Sequence, residues 1–255
     1  MPKVVKLLDW DFTPDVIVNG ECIEVMMAMP EKSVDMILCD LPYGVTCIGW
    51  DSVIPTNLLW EAYERVCKPN AAIVLTAAQP FSSYLAVSKP SWFKYEIIWV
   101  KNKATGHLNA KKMPMRNHEN ILVFYAEPPA YNPQMTNGHD PLHYAVNKHT
   151  SELYGKQKAI ESRTGATDRY PKSVVHFDVV NNADRIHPTQ KPVDLFAYLI
   201  NTFSNAGDVV LDNTAGGLTT AVACLLTKRR YICIEKDAEY ITKGVERFQQ
   251  DIFVE

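Results

Sequence analysis

At 255 residues, 47% hydrophobic and 22% charged, the chain has the make-up of a soluble globular protein long enough to bury a sizeable core. No apolar run reaches the roughly 18–20 residues that cross a bilayer, and the N-terminal MPKVVKLLDWDFTPD carries acids where a signal peptide needs an unbroken apolar stretch. A cytoplasmic protein with no membrane partner is therefore expected, and its six cysteines (22, 39, 47, 67, 224, 233), which form no CxxC pair, read as reduced packing residues.

Taken in chain order, VDMILCD (34–40) is a short apolar run ending in an acid, and NLLWEAYERVCKPN (57–70) has helical apolar spacing stopped by Lys-Pro-Asn. AAIVLTAA (71–78) reads as a strand and PFSSYLAVSK (80–89) as a helix. KYEIIWVK (94–101) and NILVFYA (120–126) are rich in β-branched and aromatic residues and read as strands. For some fifty residues after 126 the periodicity fails, with prolines at 128, 129, 133, 141 and 171. Order returns with a helix at 191–204, a strand at 208–212, a helix at 219–229, a strand at 230–235 and a helix at 237–252. Strands that alternate with helices and run as continuous apolar blocks imply a mostly parallel sheet buried on both faces. The irregular middle is then an insert on that sheet.

The net charge of −3 hides a segregation. Residues 101–116, KNKATGHLNAKKMPMR, hold five Lys/Arg and no acid, and residues 148–172 hold six against three acids, whereas residues 232–255 carry three bases and six acids. A basic middle between neutral and acidic ends suits a chain whose central part faces a polyanion, and equally suits a solvated surface loop.

Open parallel sheets bind ligands at the carboxyl ends of their strands. The strand at 34–40 delivers Asp40 into Leu41-Pro42-Tyr43-Gly44, a turn carrying an aromatic ring. In GDVVLDNTAGGLTTAVACLL (207–226) a strand ends in Asp212, passes through Gly216 and Gly217, and enters a helix capped by Thr219 or Thr220. A glycine-rich strand-to-helix turn lets backbone approach a ligand, and Glu235, at the tip of the next strand, is placed to accept hydrogen bonds from the two hydroxyls of a ribose.

Taken together and in this order, DLPYG (40–44), HPTQKP (187–192) and VLDNTAGGLTT (210–220) resemble the S-adenosylmethionine-dependent DNA methyltransferases that act on amino groups. More narrowly they resemble the permuted class, in which the Asp-Pro-Pro-Tyr motif precedes the cofactor motif, and within it the compact adenine methyltransferases of bacteriophages and prophages. The resemblance spans roughly residues 18–126 and 185–250. It implies an α/β Rossmann-like methyltransferase fold with helices on both faces of the sheet, in one domain with a catalytic half at 1–126, a variable target-recognition insert at about 102–184 and a cofactor-binding half at 185–255. It implies S-adenosyl-L-methionine as cofactor and duplex DNA as substrate, in a bacterial or phage-infected cell. It leaves room for a homodimer and for a separate restriction endonuclease as partner.

The same resemblance assigns the residues. The Asp40 carboxylate and the main-chain carbonyl of Leu41 would accept the two amino hydrogens, Pro42 would fix the turn, and Tyr43 would stack on the extruded base. Asp212, Thr214, Gly216, Gly217, Thr219 and Thr220 would surround the methionine half of the cofactor, with Thr189 and Lys191 near its carboxylate, Glu235 on the ribose and Glu21 near the adenine. Lys101, Lys103, Lys111, Lys112 and Arg116 would contact phosphates. No metal is implied: His187 reads as structural, and Pro141 opposes a helix that would align the two histidines of HDPLH (139–143).

The aspartate-headed turn points to the 6-amino group of adenine, with the 4-amino group of cytosine as the alternative. Two departures open a third reading, a catalytically silent DNA binder: Thr214 stands where the family often has an aromatic, and Leu218 where it has a glycine. Either Leu218 adopts a left-handed backbone at a cost of order a kcal/mol, weakening cofactor affinity, or the loop shifts so that Gly217 takes the tight position.

Overall fold

The computed structural model describes residues 2–44, 52–144, 163–181 and 183–253, with the backbone alone for the two-residue strands between 146 and 161 and for residues 249–253. Cys47 therefore lies outside the described residues. In chain order the main elements are β1 (Lys3–Lys6), β2 (Val16–Asn19), α1 (Cys22–Ala28), β3 (Val34–Asp40), α2 (Thr56–Val66), β4 (Cys67–Ala77), α3 (Phe81–Ser88), β5 (Phe93–Thr105) and β6 (Arg116–Phe124). The short strands β7 (Val146–Asn147), β8 (Thr150–Ser151), β9 (Gly155–Lys156), β10 (Ile160–Glu161) and β11 (Val174–His176) follow. The chain closes with α4 (Val193–Phe203), β12 (Val209–Asp212), α5 (Thr219–Leu226), β13 (Arg230–Glu235) and α6 (Ala238–Phe253).

Two compact units divide the chain: residues 1–132 with 173–255, and residues 133–172. In the second, β7 pairs antiparallel with β10 and β8 with β9. The insert expected at about 102–184 thus contains residues that belong to the larger unit, because β5 runs on to Thr105 and β6 begins at Arg116.

The larger unit is built on a nine-stranded sheet in the order β1-β2-β13-β12-β3-β4-β6-β5-β11. All its strand pairs are parallel except those made by β6, which runs against both β4 and β5. The reversal follows from chain length. Only residues 106–115 separate β5 from β6, too few for a crossover helix, so the two strands form a hairpin.

Each central strand feeds two cores. From β3, Ile37 and Cys39 pack on α1 and α2, whereas Met36 and Leu38 pack on α4 and α5. β4 repeats the pattern with Ile73 and Leu75 against Ala72 and Val74. Each of the valine, leucine, isoleucine and methionine side chains among them, fully buried, stabilises the fold by roughly 1.5–3 kcal/mol, which is why these strands read as unbroken apolar runs. The expected helix 57–70 stops at Val66, because Cys67 pairs with Val34 and the Lys-Pro-Asn stretch is drawn into β4. The buried thiols of Cys22, Cys39, Cys67, Cys224 and Cys233 are pushed up by desolvation, as suits packing residues. Among the described residues no helix is long and apolar enough to cross a membrane.

Candidate active site

Five neighbouring parallel strands, β2, β13, β12, β3 and β4, bring Asn19, Glu235, Asp212, Asp40 and Thr76 to one edge of the sheet. Their loops border a cavity of about 500 Å³ lined by Glu21, Asp40, Leu41, Pro42, Tyr43, Thr189, Lys191, Asp212, Thr214, Gly216, Gly217, Thr219 and Glu235. The three separated motifs of the sequence therefore meet at one place.

Asp40 is held from several sides. Its Oδ1 accepts from the Tyr43 hydroxyl at 2.8 Å and the Thr76 hydroxyl at 2.5 Å, and its Oδ2 accepts from Lys191 Nζ at 2.5 Å. Thr76 stands in register with Asp40 across the β3–β4 pair. The one sequence signal for Thr76 is that it is a polar residue inside the apolar run AAIVLTAA. Tyr43 packs its ring on Phe81 at 5.3 Å between centroids. Burial, together with the carboxylates of Asp40 and Glu119, raises the phenol's pKa, so it stays a neutral donor.

Lys191 lines the cavity, as expected of a cofactor-site residue, and it also reaches Asp40. Its ammonium lies on Asp40 and 3.6 Å from Glu119 Oε2, while Glu119 Oε1 accepts from Lys101 Nζ at 2.9 Å. Burial alone would lower the Lys191 pKa, but Asp40 and Glu119 raise it. Burial likewise works to raise Glu119, and the ammoniums of Lys191 and Lys101 hold it below the usual carboxylate range. Lys101 is corrected by the same geometry. With its side chain 7% exposed and paired to Glu119, it is not a free phosphate contact, because β5 turns it inward where the other four basic residues stay exposed. Lys103 donates to Asn181 and Arg116 to the Gln79 carbonyl.

On the other side of the cavity, Asp212 Oδ2 accepts from Thr220 Oγ1 at 2.5 Å and Oδ1 from the Thr214 amide at 3.1 Å. Burial raises its pKa to about 7. Thr220 is fully buried and braces this carboxylate from within, so it does not face the cavity as expected. Thr214 donates from its hydroxyl to the Asp40 main-chain carbonyl at 3.0 Å, tying the two loops together. Glu235 accepts from the amides of Gly216 at 2.8 Å and Asp237 at 2.9 Å, and Glu21 caps α1 by accepting from the Ile23 amide.

The helix cap also differs from expectation. Leu218, not a threonine, is the residue before α5, and it is left-handed with φ 59°. Gly216 is left-handed too, whereas Gly217 is not, so the shifted loop is not what forms. The Leu218 side chain is fully buried and turned out of the cavity toward α6. There it fills a notch: a Cβ at Gly244 would stand 2.6 Å from Leu218 Cγ. Arg247, one turn along α6, donates to the Gly217 carbonyl and the Thr219 hydroxyl. Gly216 lies under the His187 ring, where a Cβ would come within 3.3–3.4 Å, and a Cβ at Gly217 would meet His187 Cβ and Ile186 Cγ1 at 3.4 Å. The glycine pair thus serves packing as well as ligand approach. His187 itself stacks edge-on against Tyr240, and burial lowers its pKa to about 4.

The set of acceptors suits a nucleoside that carries a positive charge. Glu235 retains free lone pairs on both oxygens for hydroxyls, and the carboxylates of Glu21, Asp40, Asp212 and Glu235 border one cavity.

A family model described as DNA methylase matches residues 34–246. DNA adenine methyltransferase YhdJ of Escherichia coli (strain K12) is 27% identical over 250 residues, covering 91% of this chain and 81% of that one. Type II methyltransferase M.HpaI of Haemophilus parainfluenzae is 24% identical over 245 residues, with 92% and 74% covered. Among solved structures, an M1.HpyAVI–SAM complex is 22% identical with a TM-score of 0.61, covering 93% of this chain and 98% of that one. PvuII DNA methyltransferase, described as cytosine-N4-specific, has a TM-score of 0.66 at 12% identity, with 92% and 90% covered. At these identities the two structures bear on the fold, which is the α/β arrangement expected from the sequence.

Proposed function

The chain belongs to the DNA methylase family, and from that premise we propose that it transfers a methyl group from S-adenosylmethionine to the exocyclic 6-amino group of adenine in duplex DNA. The observation that carries the reading is the meeting of Asp40, at the tip of β3, with the Asp212–Thr220 loop and Glu235 around one cavity. Adenine is favoured over cytosine by the aspartate that heads the turn, and the 27% identical relative is named an adenine enzyme.

The amino nitrogen of adenine is a weak nucleophile because its lone pair is delocalised into the ring. Asp40 Oδ2 and the Leu41 carbonyl accept its two hydrogens, which draws the nitrogen toward a tetrahedral form and frees the pair. When bound, the cofactor supplies a methyl carbon on a positively charged sulfur, so the N–C bond forms as the C–S bond breaks and its electron pair stays on sulfur. The nitrogen, now cationic, sheds one proton, and Asp40 is the base placed to receive it. No covalent enzyme intermediate is required, and the rate comes from alignment and electrostatics.

Glu235 holds the ribose hydroxyls, Glu21 lies toward the adenine of the cofactor, and Thr189, Thr214, Gly216, Gly217 and Thr219 complete the wall. Tyr43, anchored by its hydroxyl to Asp40, offers its ring to the flipped base and recovers about 1–3 kcal/mol of the unstacking cost. Lys103, Lys111, Lys112 and Arg116 contact phosphates. Leu218, whose presence opened the reading of a silent DNA binder, leaves the cavity clear because its side chain is buried behind the loop.

Expression in a host free of DNA methylation, followed by sequencing for modified bases, tests the proposal. Methylated adenine at one short recurring sequence is expected. Methylated cytosine would transfer the activity to the 4-amino group, and no modification by folded protein would leave the DNA-binding reading.

A further inference from the structure

Asp40 has little capacity left for a substrate. Both lone pairs of Oδ1 are taken by the hydroxyls of Tyr43 and Thr76, and one of Oδ2 by the Lys191 ammonium at 2.5 Å. The ammonium withdraws electron density from the very oxygen that must accept the amine hydrogen, and its charge repels the cation developing on the amine nitrogen.

The same ammonium has a second carboxylate within reach. Glu119 Oε2 is 3.6 Å from Lys191 Nζ, is sealed from solvent, and has no hydrogen-bond donor on it among the described residues. Glu119 cannot turn away to find one, because Lys101 Nζ holds its other oxygen at 2.9 Å. Lys101, Glu119, Lys191 and Asp40 thus form a row of alternating charge, its lysines buried and its carboxylates largely so, in which one acceptor site, next to Lys191, stands open. A buried charged acceptor without a donor is costly, so its position beside an ammonium that already serves Asp40 calls for a role.

Resting on the methyltransferase reading above, we propose that Glu119 is a positioning residue that draws the Lys191 ammonium off Asp40 as the target amino group binds, leaving Asp40 Oδ2 to accept the amine hydrogen. The move is about an ångström, needs no change of protonation, and keeps the four charges balanced throughout. Lys191 is then a guard on the carboxylate in the free enzyme and is parked on Glu119 during transfer.

Two variants test it, Glu119→Gln and the double variant Lys101→Met with Glu119→Gln, the second removing the buried charge that the first leaves unmatched. Expected in both is a fall in kcat of roughly tenfold to a hundredfold, the size of a lost hydrogen bond to a charged group. KM for DNA and the Kd for S-adenosylmethionine should stay within about threefold of wild type. The 15N shift of Lys191 Nζ, followed as S-adenosylhomocysteine and duplex are added, should change in the wild type and not in the double variant. A folded double variant with wild-type kcat would overturn the proposal, since Glu119 would then merely neutralise Lys101. So would an unmoved Lys191 signal in a wild type that methylates. Wild-type turnover in the same assay stands or falls with the methyltransferase reading itself, and separates the two failures.

Discussion

Asp40 at the tip of β3 and the 212–220 loop after β12 border one cavity but are held by different forces. Asp40 is fixed by polar side chains from four places in the chain, Tyr43, Thr76, Lys191 and, through Lys191, Glu119. The loop has polar ties of its own, from Thr220 and the Thr214 amide to Asp212 and from the Gly216 amide to Glu235, but it also depends on shape: a left-handed Leu218 seated in the notch at Gly244, a glycine under the His187 ring, and an arginine behind. A polar network can be altered one atom at a time with the fold intact, whereas a packed loop transmits any change in volume to its backbone. Damage at the first should appear in rate, and damage at the second in stability and cofactor affinity.

The largest effect expected is from Asp40→Asn, which keeps the volume and removes the charge. Methyl transfer should fall on the order of 10²–10³-fold, with the Kd for S-adenosylmethionine changed by less than about threefold, as read by single-turnover methyl incorporation beside calorimetry. Equal losses in rate and cofactor binding would break the contrast. On the loop side, Gly244→Ala should cost roughly 1–3 kcal/mol by overpacking, because the small helical gain from alanine, about 0.5–1 kcal/mol, is outweighed by a contact of 2.6 Å with Leu218. Denaturant unfolding should show the loss and calorimetry a weakened cofactor site. Adding Leu218→Ala should make the double variant more stable than the sum of the single losses.

The contrast extends to the basic residues. Lys103→Ala and Arg116→Ala should each reduce the salt slope of DNA binding by about one, as read from binding at several salt concentrations. Lys101→Ala should destabilise the fold and leave that slope alone, because its partner is Glu119.

The smallest effect is in pH. Burial lowers the His187 pKa from 6.5 to about 4, so between these values the unfolded chain binds a proton that the folded chain refuses. The stability due to this histidine is present above pH 6.5 and lost as the pH falls toward 4. Asp212 opposes it, since a carboxylate raised to about 7 loses its contribution as the pH rises from 3.8. A difference isolates the histidine: the gap in Tm between wild type and His187→Gln should narrow by a few degrees from about pH 7.5 to about pH 5.

Much of this was legible in the chain. The apolar blocks 34–40 and 230–235 are strands over those residues, because burial on both faces keeps the run between their polar ends unbroken. β1, β2 and α1 leave little signal in the chain, being short and weakly periodic. Asp40, Tyr43, Asp212 and Glu235 could be picked out as chemistry-bearing residues at strand ends. Thr76 and Glu119 could not, since their importance lies in which strand stands beside β3 and on which side of β6 a carboxylate points.

The order of motifs, the mostly parallel α/β fold and the place of Asp40 at a strand end follow from the sequence alone, since strand ends, turn residues and apolar runs are local properties. The tertiary structure decided where Lys191 sits, why Lys101 faces inward, and how Leu218 is tolerated. Each depends on a residue far away in the chain, Asp40, Glu119 or Gly244, brought into contact by packing that no local pattern encodes.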